Sequence, residues 1–313
     1  MAALPSIGQV LKGRASAYTI VKELHRAVDN GVVFLATNLA NERFIVKSIA
    51  GHWRLRNEAD ILKRYQLKTP FLRPLVDELQ DPAEPPSIVL KYLDSDLLTE
   101  SNKKRLSRPD IKRVAKCLLE TLRVLHSDGL VHTDVKLDNV FVDLGPQSGG
   151  QRFSAIQLGD CGGVVSQDSM FARDGHLIGA GFTRSPEATF RLPWGTATDI
   201  WSFGNAVLSL LYGGGYHLFN PGIEGLKVKD QENELTVLKR MYKFFGPYPQ
   251  SCDDFNDSDT IPEIPPADKA FILKIMKLDP RDRPTADQLL EDEWFTEESE
   301  DTRVPLPEEE SPS

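Results

Sequence analysis

Residues 131–140 read VHTDVKLDNV and place three polar side chains, Asp134, Lys136 and Asn139, at short intervals among apolar neighbours. The plainer interpretation is a polar loop whose apolar residues belong to a core. The other is a phosphoryl-transfer site, in which the aspartate orients a hydroxyl, the lysine faces the transferring phosphate and the asparagine holds a metal ion. Ten residues do not decide between these interpretations, so the remainder of the chain has to.

The overall composition narrows the class of protein. The chain has 313 residues, which suits one large domain or two lobes, and 40 % of them are hydrophobic, enough to form a core of that size. The net charge of −9 argues against nucleic-acid binding and favours a basic peptide as a partner. No stretch has the pattern of a secretory signal or the length of a membrane span, so we expect no membrane association.

Cysteine content and the chain termini complete this picture. The three cysteines, Cys117, Cys161 and Cys252, make neither a disulfide framework nor a zinc cluster. We therefore expect an intracellular protein, in the cytoplasm, the nucleus or both. Residues 297–313 are acidic, contain proline and lack aromatic side chains, which predicts a disordered tail.

The first third of the chain has the composition of a sheet. Its β-branched and aromatic runs are separated by turn residues, and Asp29-Asn30-Gly31 is a hairpin signal between the first two runs. One window instead has apolar residues spaced among charges, as in an amphipathic helix. The predicted elements are strands at 18–24, 32–38, 43–49 and 87–93, and a short helix at 53–66.

The remainder of the chain is mostly helical in pattern. Ser107 followed by Pro109 and Asp110 predicts a helix start, and the helix is expected to stop at Asp128-Gly129. Further helix-like stretches begin near residues 199, 232, 268 and 285. These patterns predict an N-terminal extension at 1–14, a small β-rich N-lobe at 15–93, a larger helical C-lobe at 94–296 and the tail at 297–313.

Two further segments carry charged residues where chemistry would need them. Lys47 ends the strand FIVK, and a buried lysine needs a partner, which Glu58 on the following helix can supply. Such a pair can equally be structural. Asp160 follows a strand and lies between glycines, where an aspartate is usually a turn residue. It also follows Asn139 in the chain, and one Asp with one Asn suffices for Mg²⁺ when phosphate oxygens complete the shell.

Seven landmarks in this order resemble the protein-kinase family: Lys47 in FIVK, Glu58 in NEAD, HTDVKLDN, GDCG, RSPE, DIWSFG and DRPT. The resemblance covers residues 15–296. It implies an α+β, bilobal protein-kinase-like fold with ATP and Mg²⁺ as cofactors, bound between the lobes.

The resemblance also implies site residues. The catalytic group consists of Asp134 as the base, Lys136 facing the γ-phosphate, and Lys47 on the α- and β-phosphates, paired with Glu58. The metal ligands are Asn139 and Asp160. The nucleotide-binding residues are Leu24, Gly31, Val33, Ile45, Lys47, the gatekeeper Leu90, the Lys91 carbonyl, the Leu93 amide, Asp96 as the ribose ligand, and Phe141. Glu187 and Arg283 are implied to form a buried ion pair, and Asp199 to tie its helix to the catalytic loop, although Asp199 can also be a helix N-cap.

The function implied is a Ser/Thr protein kinase acting on a protein or peptide substrate, as a monomer. A pseudokinase that binds without turnover is the alternative, and a small-molecule kinase of similar fold is the third hypothesis. The HTD sequence resembles the SR-protein kinases. Arg184 before SPE and the segment VLKRMYKFFGPYP (237–249) resemble the wider cyclin-dependent, MAP and CDC-like group.

Several residues depart from the family pattern. Only Gly31 remains of the three glycines expected over the phosphates, and Ala180 replaces a threonine that contacts the catalytic Asp and Lys. Cys161 replaces the usual Phe after the metal-binding Asp. Thr133 replaces the Arg that pairs with activation-segment phosphate, so we expect activity that does not depend on such a phosphate.

Overall fold

The structure is a computed structural model that describes residues 4–26, 31–51, 53–146, 150–213, 215–220, 232–246 and 264–297. A β-rich N-lobe precedes a larger, mainly helical C-lobe, which confirms the predicted bilobal α+β fold. The strands are β1 (Val10–Gly13), β2 (Ala17–Arg26), β3 (Gly31–Thr37), β4 (Arg43–Ile49), β5 (Leu75–Asp81), β6 (Ser87–Lys91), β7 (Ser95–Asp96), β8 (Leu130–Val131), β9 (Val140–Leu144), β10 (Phe153–Leu158) and β11 (Val165–Ser166). The helices are α1 (Trp53–Tyr65), α2 (Leu97–Lys103), α3 (Arg108–His126), α4 (Met170–Arg173), α5 (Pro186–Thr189), α6 (Ala197–Tyr212), α7 (Glu232–Phe245), α8 (Pro266–Ile275) and α9 (Ala286–Leu290).

The N-lobe is a closed barrel in the order β1-β2-β3-β4-β6-β5, with antiparallel neighbours. Strand β4 is covered on both faces. Val46 packs in the cluster inside the barrel with Phe34, and Ile45 packs on the other side with Leu62 of helix α1. Since neighbouring strand residues point to opposite faces, Lys47 shares the face of Ile45 and is directed toward α1.

Strand β1 lies within segment 1–14, which the sequence pattern set apart from the N-lobe. It pairs with both β2 and β5 and so closes the barrel. The sequence did not predict β1, because the strand has four residues and buries only the side chain of Leu11, so apolar and polar residues do not alternate along it. The turn after β1 is fixed by Asp77 of β5, whose carboxylate accepts the backbone N–H groups of Arg14 and Ala15 at 2.9 Å.

The C-lobe is built around the two largely buried helices α3 and α6. Helix α3 starts where the sequence predicts, because the Ser107 hydroxyl accepts the N–H of Asp110. Helices α7, α8 and α9 confirm the other predicted helical stretches, although the last one is shorter and a separate 3₁₀ turn follows it at Glu293–Phe295.

Some predictions concern residues that the structure does not describe. The hairpin signal at 29–30, Cys252, and the predicted tail beyond Glu297 lie outside the described residues. Within the described ranges, no helix combines the length and apolar character needed to cross a membrane.

Candidate functional site

Lys47, Glu58 and Asp160 form one charged cluster between the lobes. The Lys47 Nζ donates to both carboxylate oxygens of Glu58 at 3.0 Å and to Oδ1 of Asp160 at 3.0 Å. Burial would lower the pKa of Lys47, but the charges of Glu58 and Asp160 outweigh it and raise that pKa above its ordinary value. The Lys47 charge in turn lowers the pKa of Asp160. Both shifts favour the charged forms of Lys47 and Asp160.

Helix α1 is anchored to the segment that follows Asp160. Asn57 Nδ2 donates to the carbonyl of Gly162 at 3.1 Å and to that of Val164 at 2.8 Å. Asp160 itself has a φ of +58°, in the left-handed region. These contacts set the distance between Glu58 and Asp160, with Lys47 between them. Sequence reasoning missed Asn57, whose position next to Glu58 was the available signal.

The loop at 132–139 brings the three residues of the opening motif together. Asn139 Nδ2 donates to the backbone carbonyl and to Oδ2 of Asp134, both at 2.9 Å. The Lys136 Nζ lies 3.2 Å from the same Oδ2 and 3.4 Å from Asp138. Burial opposes the charge on Lys136, but Asp134 and Asp138 raise its pKa. A carboxylate that faces both a cation and an amide is suited to hold an approaching hydroxyl.

The donor set around Asn139 and Asp160 suits a hard divalent cation. Both hydrogen bonds of the Asn139 amide use its nitrogen, which leaves the amide oxygen for another partner. Asp160 offers Oδ2, since Oδ1 is held by Lys47. In the part of the chain described, no group of three or more His, Cys, Asp or Glu side chains is placed to hold a metal ion. A cation here would need phosphate oxygens as well, as Mg²⁺ commonly does.

The carboxylate of Asp199 holds the backbone at the start of the loop at 132–139. Its carboxylate accepts the N–H of His132 at 2.7 Å and the N–H of Thr133 at 2.9 Å, and His126 Nε2 lies 3.0 Å away. Helix α6 is capped at Thr196, so the N-cap interpretation of Asp199 is wrong. A buried carboxylate that binds two consecutive amides fixes the backbone at the base of the loop.

We call residues 91–93 the hinge, and we call the predicted space for the base, between Val33, Ile45, Leu90 and Phe141, the slot. Val33, Ile45 and Leu90 pack in one cluster with helix α1. Phe141 lies on β9, paired with Asp96 of β7.

Other predicted nucleotide residues are less enclosed or already engaged. Leu93 in the hinge is buried, whereas Leu24, at an irregularity of β2, is 47 % exposed. Gly31 begins β3 opposite Ile49. Asp96 is the N-cap of α2, and Thr99 donates to both of its carboxylate oxygens, at 2.8 Å from N and 2.7 Å from Oγ1. The ribose role of Asp96 stays a prediction. A ribose bound there would share the carboxylate oxygens with Thr99.

Arg73 enters this slot and was not predicted. Its side chain is buried, its Nε donates to the Lys91 carbonyl at 2.9 Å, and its guanidinium carbon lies 4.0 Å from the centre of the Phe141 ring. The carbonyl predicted to contact adenine therefore already has a donor. An arginine between Leu72 and Pro74 gave no sequence signal, since its contacts come from distant segments.

The segment from Asp160 to Glu187 is fixed at both ends. Near its start, the Thr133 hydroxyl donates to the Gly163 carbonyl at 3.0 Å. At its end, Glu187 and Arg283 form a bidentate pair with distances of 2.7 and 2.8 Å, buried on both sides. Cys161 is completely buried in the cluster with Leu62 of α1, and burial raises the pKa of its thiol. It is thus a packing residue.

Comparison with known proteins gives the family. The family model described as "Protein kinase domain" matches residues 29–295. The chain is 26 % identical over 204 residues to Serine/threonine-protein kinase PAK 4 of Homo sapiens, which covers 65 % of this chain and 30 % of the relative. It is 28 % identical over 216 residues to Serine/threonine-protein kinase STE20 of Candida glabrata, covering 68 % of this chain and 20 % of the relative.

The matches thus span less than a third of these relatives' length. They belong to the PAK and STE20 kinases, so they do not support the subgroup predicted from HTD, Arg184 and residues 237–249. A family match over most of the chain, on a bilobal fold with the charged cluster between its lobes, shows that this chain belongs to the protein kinase family.

Proposed function

We propose that the protein is an ATP-dependent Ser/Thr protein kinase that transfers the γ-phosphoryl group to a hydroxyl of a protein substrate. The observation that carries this proposal is the convergence of the charged groups. Lys47 bridges Glu58 and Asp160, and Asn139 and Lys136 converge on the Asp134 carboxylate. These are charged groups of the kind that phosphoryl transfer uses, and their convergence supports the proposal.

In the proposed reaction the substrate hydroxyl donates to Asp134. The hydroxyl oxygen forms a bond to the γ-phosphorus, the bond from that phosphorus to the bridging oxygen breaks, and the proton passes to Asp134. Lys136, 3.2 Å from Asp134, lies where it can pair with the transferring oxygens, and Lys47 holds the phosphates that leave. Mg²⁺ on Asn139 and Asp160 would neutralise charge on the phosphates.

The finer features of the function are also proposals. The net charge of −9 supports a basic peptide substrate. We further propose a monomer that binds neither nucleic acid nor membrane and acts in the cytoplasm, the nucleus or both. The placement beside the SR-protein and cyclin-dependent groups rests on HTD, on Arg184 and on the sequence of residues 237–249.

A pseudokinase remains the second candidate, because specific contacts favour it. The Lys91 carbonyl is engaged by Arg73, and both oxygens of Asp96 are engaged by Thr99. Ala180 also lacks the hydroxyl that would reach the catalytic loop. A nucleotide would have to bind beside these contacts, which reduces the free energy available for binding.

Labelled phosphate transfer from ATP to a basic, serine-rich peptide tests the proposal. We expect transfer by the wild type and a loss of at least about 100-fold in Asp134→Asn, which keeps the hydrogen bonds to Asn139 but cannot take a proton. Nucleotide binding, measured as a thermal shift with Mg²⁺, should be unchanged in this variant. Binding without transfer in the wild type would instead identify a pseudokinase.

Transfer should not depend on phosphorylation of the segment 160–187. Thr133 cannot make the charge-assisted contact of an arginine, and its hydroxyl already holds Gly163. The hydroxyl of Ser169 caps α4, and that of Thr183 donates to the Ala180 carbonyl. Phosphatase-treated protein should therefore keep its transfer rate. Loss of the rate, with Asp134→Asn protein still accepting phosphate in this segment, would contradict the prediction.

A further inference from the structure

Arg73 is a buried cation without a carboxylate partner. Its residue is only 4 % exposed, and among the described residues no Asp or Glu oxygen lies within 4.0 Å of its guanidinium nitrogens. Burial lowers its pKa to about 10, with Glu58 and Asp160 opposing the fall, so it remains charged at neutral pH. A buried charge usually pairs with an opposite charge, and its absence here calls for an explanation.

The guanidinium is held in a defined orientation by the two walls of the slot. Nε donates to the Lys91 carbonyl at 2.9 Å, and the guanidinium lies on the face of the Phe141 ring at 4.0 Å. Gly159 makes this arrangement possible. A Cβ at that position would lie 2.8 Å from the Phe141 ring and 3.2 Å from Cδ of Arg73.

The terminal nitrogens of Arg73 are left as donors. An arginine has five N–H groups, and among the described residues Arg73 has one hydrogen-bond acceptor, the Lys91 carbonyl, which takes the Nε–H. Both terminal nitrogens retain some access to solvent, because neither is fully buried. The two residues that Arg73 contacts, Lys91 and Phe141, are both predicted to bind the nucleotide.

The terminal N–H groups of Arg73 would favour a base that presents hydrogen-bond acceptors to them. Guanine and hypoxanthine present two acceptors, O6 and N7, on one edge, and arginine pairs with both at once. Adenine presents N7 together with an amino group, which is a donor and gains nothing from a guanidinium. The Lys91 carbonyl has a second lone pair, so it can still accept from that amino group.

We propose that Arg73 is a base-specificity residue, through which the cleft accepts purine nucleotides with an oxygen at position 6 as well as adenine nucleotides. The proposal rests on the nucleotide site of the proposed function and extends the class of nucleotide that it binds. A purely structural arginine, which only braces the hinge, would affect all nucleotides alike.

The test is a set of dissociation constants for ATP, ITP and GTP with Mg²⁺, measured by calorimetry on the wild type and on Arg73→Val. We expect ITP to bind the wild type within about threefold of ATP, and the ratio of ITP to ATP affinity to fall about tenfold or more in Arg73→Val. ITP and GTP share O6 and differ in the 2-amino group, so a common response identifies recognition of O6.

Arg43→Val is the matched control. Arg43 also contacts the hinge, with its guanidinium 4.1 Å from the centre of the Tyr92 ring, but it is exposed. The ratio should not change in this variant. Arg73→Met, which keeps most of the apolar stem, replaces Arg73→Val if the latter does not fold.

Three outcomes would overturn the inference. The first is a wild type that binds ATP more than about 30-fold tighter than ITP. The second is an Arg73→Val variant in which the ratio of ITP to ATP affinity is unchanged. The third is an equal gain in affinity for all three nucleotides in that variant, which would mean that Arg73 only obstructs the site. Binding is measured without transfer, so the two proposals can fail separately. ITP binding without phosphate transfer would refute kinase activity alone, whereas transfer from ATP with no effect of Arg73 on the ratio would refute this inference alone.

Discussion

Lys47→Met is expected to reduce phosphate transfer by at least about 100-fold. Lys47 is the one cation in contact with both Glu58 and Asp160 in the part of the chain described, at 3.0 Å from each. Removing a group that stabilises developing charge at such a site commonly costs about 3 kcal/mol of transition-state stabilisation. The measurement is the initial rate of labelled transfer at saturating ATP and Mg²⁺, with circular dichroism to confirm the fold.

The single variant alone leaves an ambiguity, because it strands Glu58 as a buried carboxylate. Glu58 is 3 % exposed, and an unpaired charge there can shift helix α1 or destabilise the lobe. The double variant Lys47→Met with Glu58→Gln removes that charge. We expect it to unfold at a higher temperature than the single variant and to remain inactive. Recovery of transfer in the double variant would mean that Lys47 acts only by neutralising Glu58, and that the phosphate contact lies elsewhere.

The sequence predicts best what depends on residues close together in the chain. Strand β4 was predicted with the bounds that the structure has, because both of its faces are covered and its apolar run is continuous. The start of α3 was predicted from a capping serine three residues before the aspartate that it binds. Strands β1 and β5 were missed, since each has few buried side chains and pairs with the other only after the chain has folded.

The site divides in the same way. The resemblance identified six residues, and the structure brings them together in two groups of three. Lys47, Glu58 and Asp160 form one group, and Asp134, Lys136 and Asn139 form the other. The resemblance did not supply Arg73 or Asn57, whose partners lie 18 and more than 100 positions away. Such contacts exist only after folding. Thr133 is a related case. The sequence showed that an arginine is missing at this position, but it could not show that the Thr133 hydroxyl donates to the carbonyl of Gly163.

Arg283→Ala is expected to lower the free energy of unfolding by about 3–5 kcal/mol, the usual cost of removing one partner of a buried ion pair. The Arg283 side chain is fully buried, and it donates to Glu187 at 2.7 and 2.8 Å. It also donates to the carbonyls of Ala197 and Lys277, at 2.9 and 2.7 Å. The variant leaves these acceptors and a buried carboxylate without a donor.

Because Glu187 ends the segment that starts at Asp160, transfer should be lost as well, at temperatures where the variant is still folded. Urea unfolding followed by tryptophan fluorescence measures the first effect, and the transfer assay measures the second. Arg281→Ala is the matched control, since Arg281 lies two residues earlier in the same turn and its bond to Asp279 is on the surface. We expect no measurable change there. If Arg283→Ala unfolds at the urea concentration of the wild type but has lost transfer, the pair positions the segment without stabilising the C-lobe. Retention of both properties would show that Glu187 finds another donor and that the segment is held by contacts other than this pair.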